Sequence, residues 1–143
     1  MNYLLIFNKH YIKNPGDVYR WGLGRGVFCK RLFEYILDEL KLDPQDIGNS
    51  SRLEDIKDLN ILERMIKNLC ENINKLDASE TYSLIGTDVM NIIIMEIWLS
   101  LKNFYKHDER EVALKDYLEL IENEVVIERI KSMDLHFKQH HFR

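Results

Sequence analysis

The chain has 143 residues, 45% of them hydrophobic and 31% charged, with 20 basic against 24 acidic side chains and a net charge of −4. That balance describes a globular chain long enough to bury a core, and it excludes a disordered or fibrous one. The charge is uneven: residues 1–33 carry six basic side chains against one acid (+5), and the other 110 carry 14 against 23 (−9). The acidic majority argues against a general nucleic-acid binder, whose affinity comes mainly from neutralising phosphates.

Two Pro and six Gly are few for an all-β chain full of tight turns. Met1 to Phe7 is apolar but short, without the basic segment and cleavage site of a signal peptide. Cys29 and Cys70 read as reduced, core-facing thiols on separate helices, so the expected setting is the cytoplasm.

In chain order, Met1 to Ile12 fits a short strand or a helix, and helix is preferred because a lone strand has no ladder partner. Asn14-Pro15-Gly16-Asp17 has turn chemistry. Gly22, Gly24 and Gly26 alternate just before a helix, with Arg20, Arg25, Lys30 and Arg31 nearby. An anion- or nucleotide-binding loop built there would use Gly22, Gly24, Arg25, Gly26 and Lys30. The spacing matches neither the dinucleotide fingerprint nor a Walker loop, so a connector in which glycines let backbones approach is the preferred reading.

Val27 to Leu42 repeats apolar residues at helical steps, through Phe28, Leu32, Phe33, Ile36, Leu37 and Leu40. Ser51-Arg52-Leu53-Glu54 has the capping-box pattern and is expected to open a helix over 52–76. Its seam is Ile56, Leu59, Leu62, Ile66, Leu69, Ile73 and Leu76, in the manner of bundle packing. Ser79 is the expected cap of a short helix over 80–85.

The segment 86–105, GTDVMNIIIMEIWLSLKNFY, is the apolar centre of the chain. Thr87 is the expected N-cap, with Asp88 in the first turn. A helix apolar on nearly every side must be surrounded by other elements. Glu96 is expected at its solvent-facing edge and Trp98 in the core. Asp88, Asn91, Glu96 and Lys102 interrupt the run too often for a membrane span.

A last long helix is expected over 109–133, with Asp108 as cap. Asp116, Glu119 and Glu122 follow at three-residue steps on its polar side, the best candidate face for a basic partner. The terminus 134–143 reads as a flexible or docked tail. His136 and His140 stand four apart, as a metal pair would, but no third ligand completes a site, and no metal is expected.

Acid pairs such as Glu54/Asp55 and Glu122/Glu124 read as solvated surface. No nucleophile elbow, P-loop, paired-cysteine motif, calcium loop or zinc-protease motif is present, so no catalytic residue or cofactor is nominated.

The expectation is therefore an all-α, single-domain bundle of four to six helices around the 86–105 helix. Its expected role is that of a non-enzymatic protein-binding module. The genre is that of a bacterial toxin-neutralising immunity or inhibitor protein, holding a basic protein partner through Asp116, Glu119 and Glu122. The alternatives are a nucleic-acid-linked regulator using the basic N-terminal third, or a small anion-binding domain at Gly22–Gly26. Oligomeric state is not legible.

Overall fold

Most of the segments with helical apolar spacing are helices in the structure, with breaks at 52–58 and 119–123. The computed structural model describes residues 2–13, 23–87 and 89–140. Those residues form seven α-helices: α1 (Tyr3–Lys13), α2 (Leu23–Leu40), α3 (Leu59–Asn74), α4 (Ala78–Ile85), α5 (Val89–Leu101), α6 (His107–Leu118) and α7 (Glu124–His140). Two 3₁₀ turns, Pro44–Asp46 and Leu53–Asp55, lie between α2 and α3. The fold is all-α, and α1 resolves the strand-or-helix alternative at the N-terminus in favour of helix. The turn expected over Asn14 to Asp17 and the role of Asp88 lie outside the described residues.

Two sequence boundaries are corrected by side chains that cap. The helix expected from residue 52 begins at Leu59, because Asp58 supplies the N-cap, accepting from the backbone N–H groups of Asn60 and Ile61. The apparent capping box upstream holds one 3₁₀ turn instead. There the Asp55 carboxylate accepts from the Ser51 and Arg52 N–H groups at 3.0 and 3.1 Å. Burial pulls the Asp55 carboxyl upward, but these hydrogen bonds outweigh it and leave the group below the usual carboxylate range.

The α4 cap is Asp77 rather than Ser79. Asp77 and Glu80 exchange a reciprocal pair of bonds, Glu80 N to Asp77 Oδ1 at 2.8 Å and Asp77 N to Glu80 Oε1 at 2.9 Å.

The helix expected over 109–133 is two helices, which is why the described count exceeds four to six. Residues 119–123 leave the helix because tertiary partners take their backbone groups. Asn74 on α3 donates from Nδ2 to the Leu120 carbonyl at 3.0 Å and accepts from the Glu122 N–H at 2.7 Å. Asn123 Oδ1 then accepts from the Val126 N–H and starts α7.

Of the 13 residues of α5, 11 are buried, Trp98 and Ile97 among them. Its nearest backbone neighbours are the Leu53–Asp55 turn, α6 and α4. Within residues 52–76 the closest approach to α5 is made by the turn preceding α3. The core cluster draws on every described helix, from Leu4 and Phe7 through Ile36, Ile66, Leu84 and Leu114 to Val126. Each such aliphatic or aromatic side chain contributes about 1.5–3 kcal/mol on burial. Among the described residues no single helix is long and apolar enough to cross a membrane.

Asparagines fasten the layers. Asn72 and Asn68 both donate to Glu39 Oε1 on α2, at 3.1 and 3.2 Å, and Asn68 accepts from the Tyr3 hydroxyl at 2.7 Å. Burial first, then the Glu39 charge, raises the Tyr3 hydroxyl well above its ordinary pKa, so it remains a donor. Asn8 on α1 donates to Ser83 Oγ at 3.0 Å, and its Oδ1 lies 2.8 Å from the Thr87 hydroxyl, tying α1 to both ends of the α4–α5 corner.

Candidate functional site

Glu96 is not at a solvent-facing edge. It is 1% exposed on α5, and that expectation is corrected because a partner distant in sequence compensates the charge. Arg52 reaches in from the loop before the Leu53–Asp55 turn and donates to Glu96 from Nη2, and from Nε at 3.4 Å. The same guanidinium meets Glu54 at 3.1 Å, and Glu54 also pairs with Lys102 at 3.1 Å. Burial tends to lower the Arg52 pKa, but the Glu96 hydrogen bond and charge outweigh it and the net shift is upward. Asn103 completes the clasp by donating to the Glu54 carbonyl at 2.6 Å. With every carboxylate engaged, this network holds a turn onto α5 and is structural.

Trp98 is core, as expected, at 2% exposure. The Arg110 guanidinium carbon sits 3.8 Å from its ring centroid, and the His107 ring meets it edge-on at 5.9 Å. Burial lowers the Arg110 pKa. These contacts seat the N-terminal half of α6 on α5.

That seating fixes the chemistry of the outer side of α6. Between α3, the segment after α5 and α6 lies a recess of about 560 Å³ lined by Glu63, Tyr105, Glu109, Val112, Ala113, Asp116 and Tyr117. Tyr105 and Tyr117 are half-buried walls. The Tyr117 hydroxyl donates to Glu63 Oε1 at 2.9 Å. Its pKa is raised by burial first, then by the bond to Glu63 and the neighbouring Tyr105 hydroxyl, so it stays a donor at any physiological pH. Beneath it, Cys70 Sγ donates to the Tyr117 carbonyl at 3.7 Å, and burial pushes that thiol up to about 12. A thiol so protonated is inert rather than nucleophilic at neutral pH.

Glu63, Glu109 and Asp116 make no ion pair among the described residues, in contrast to Glu54, Glu96 and Glu128. The recess therefore presents carboxylate acceptors and aromatic faces, and of its two tyrosine hydroxyls that of Tyr117 is committed to Glu63. Such a lining suits a cation with an apolar stem.

The nominated acids are divided by the break after α6. Asp116 is exposed on α6 and lines the recess, Glu119 is the exposed C-cap of the helix, and Glu122 is exposed in the following loop. They do not form one continuous helical face, because the helix that would have aligned them ends at Leu118. Of the recess lining the sequence nominated Asp116 alone; Glu63, Tyr105, Glu109, Val112, Ala113 and Tyr117 were not nominated. The signal was faint: two tyrosines twelve apart, one just before α6 and one in its last turn, otherwise part of apolar arcs.

Gly22 lies outside the described residues. Gly24, Arg25 and Gly26 belong to the opening turns of α2, already helical at Leu23, and Lys30 is exposed further along it. The backbone there is thus helix, where a loop was expected. His136 and His140 both fall on the α7 backbone. Among the described residues no group of three His, Cys, Asp or Glu could hold a metal ion.

No protein-family model, curated protein or solved structure matches the chain.

Proposed function

We propose that the protein is a non-enzymatic binding module whose acidic, tyrosine-walled recess on α6 receives a cationic side chain of a basic protein partner. The observation that carries this reading is the set of carboxylates of Glu63, Glu109 and Asp116, in no ion pair among the described residues, lining one recess with Tyr105 and Tyr117. Several carboxylate acceptors lining one recess give an arriving cation more than one attractive contact at once. The half-buried tyrosine faces add a cation–π contribution of about 0.5–2 kcal/mol, more as water is excluded. Complementarity of this kind sets encounter rate and specificity, which is what an inhibitor or immunity-type protein requires of its surface.

Of the sequence-nominated acids, Asp116 has this role directly, and Glu119 and Glu122 extend the negative field towards α7. A nona-arginine peptide titrated by fluorescence anisotropy tests the reading. Binding should weaken steeply with salt, and E109K/D116K should reduce affinity at least tenfold, whereas E71K on exposed α3 surface should change it little. Equal affinities for native protein and E109K/D116K would overturn the assignment of the recess.

A further inference from the structure

Local preference and structure disagree most at residues 119–123. Leu114, Leu118, Ile121 and Val125 keep steps of three and four, and no Gly or Pro occurs between His107 and His140. Read locally, the stretch favours one unbroken helix, and its Glu and Leu residues are good helix formers. The structure divides it into α6 and α7, and the division rests on asparagine side chains. Asn74 donates to the Leu120 carbonyl and accepts from the Glu122 N–H, while Asn123 caps α7. The bent form leaves local groups in poorer settings. α6 closes on Asp116 and Glu119, acids at the negative end of a helix dipole. The first N–H groups of α7 lack the intrahelical acceptors that an unbroken helix would give them.

α7 is also lightly docked. Of its side chains described up to Ser132, Val126 alone is buried, at 0% exposure, and its main backbone neighbour is α4. Asn123 Nδ2 adds a bond to Thr81 Oγ1 on that helix at 2.9 Å. We infer that 119–123 is a swap hinge: two copies of the chain straighten it, run α6 and α7 as one helix, and dock each α7 on the α4 of the other copy. Exchange between identical chains remakes the Val126 and α4 contacts across the dimer, so those contacts cancel between the two forms. What separates the forms is the hinge, where the Asn74 clasp and the Asn123 cap oppose continuous helix, together with the entropy lost in pairing two chains. The recess residues all precede the hinge, so each half of the dimer keeps its own recess, and the inference stands apart from the reading given above.

Native protein, Asn74→Ala and Glu124→Pro are unfolded in urea, refolded at high chain concentration, and sized by light scattering after gel filtration. Asn74→Ala removes the clasp from the bent form alone and should raise the dimer association constant at least tenfold over native. Glu124→Pro acts in the opposite direction. Proline suits the first position of α7, and the backbone it imposes on Asn123 is that of an N-cap. In an unbroken helix the same proline loses a hydrogen bond and strikes the Leu120 carbonyl. Glu124→Pro should therefore keep the native urea midpoint as a monomer and abolish the dimer. Monomer alone in both native protein and Asn74→Ala overturns the inference. A dimer equally abundant in all three proteins would be a surface contact, and overturns it as well. The two variants move the dimer in opposite directions, so loss of folding in one of them cannot imitate the expected pair of results.

Discussion

Glu96 carries its charge at 1% exposure, in a helix whose other middle residues are almost all aliphatic, and that is tolerable only because Arg52 donates to both its oxygens. The desolvation cost of such a pair is large and its net value small, but removing one partner leaves the other stranded. Arg52→Ala should therefore destabilise the protein by about 3 kcal/mol in urea denaturation, and R52M/E96M should recover most of the loss. If R52A lay within error of the native protein, water rather than Arg52 would be compensating Glu96. Nothing local in the sequence could reveal this. The partner lies 44 residues away, and an acid in a helix apolar on every side has no side that the pattern marks as wet. Trp98 was legible for the opposite reason: its bulk and its place on the apolar arc needed no distant partner to specify burial, and only the Arg110 stack was hidden.

Elements were legible where apolar spacing is strong and local, and boundaries were misread where a side chain from elsewhere competes for the backbone. Leu114, Tyr117, Leu118, Ile121 and Val125 keep helical spacing straight through 119–123, with no Gly or Pro to warn of a break. The break belongs to Asn74, one helix away, and to Asn123 as a local cap. The same break moves Glu122 off the surface shared by Asp116 and Glu119, so the candidate site was only half readable. The end of α2 shows local chemistry more directly. Lys41 adopts φ 54°, with its N–H on the Asp38 carbonyl and the Leu42 N–H on the Leu37 carbonyl, a Schellman closure. A side chain is strained there and glycine is not, although glycine loses more entropy on folding. Lys41→Gly should raise stability by about 0.5–1 kcal/mol, read as a higher urea midpoint at unchanged slope. A lower midpoint would mean that the lysine stem contributes packing worth more than the strain.

At the scale of the molecule, the core cluster and the asparagine fasteners join helices that are remote in sequence, so no helix can leave without opening contacts in another layer. Asn68 and Asn72 bind α3 to Glu39 on α2, Asn8 binds α1 to the α4–α5 corner, and Asn123 Nδ2 binds the start of α7 to Thr81 on α4 at 2.9 Å. Cys29 on α2 and Cys70 on α3 report on this coupling from two places, at 1% and 2% exposure. The Cys70 thiol, raised to about 12 by burial and then by Glu71, has almost no thiolate in the folded state at pH 8 and regains its ordinary acidity only when unfolded. Its alkylation by iodoacetamide should therefore track global unfolding, with a rate that rises with urea at the slope of the equilibrium transition. Cys29, walled into the same core, should be labelled with the same urea dependence if the molecule opens as one unit. Mass spectrometry of the two cysteine peptides across a urea series decides it. Labelling of Cys29 at low urea, with Cys70 still protected, would show α1 and α2 opening as a separate layer and would refute single-unit cooperativity. Matched labelling would mean that the α6 surface is held by the entire core, so that substitutions there which preserve the urea midpoint can be read as effects on binding alone.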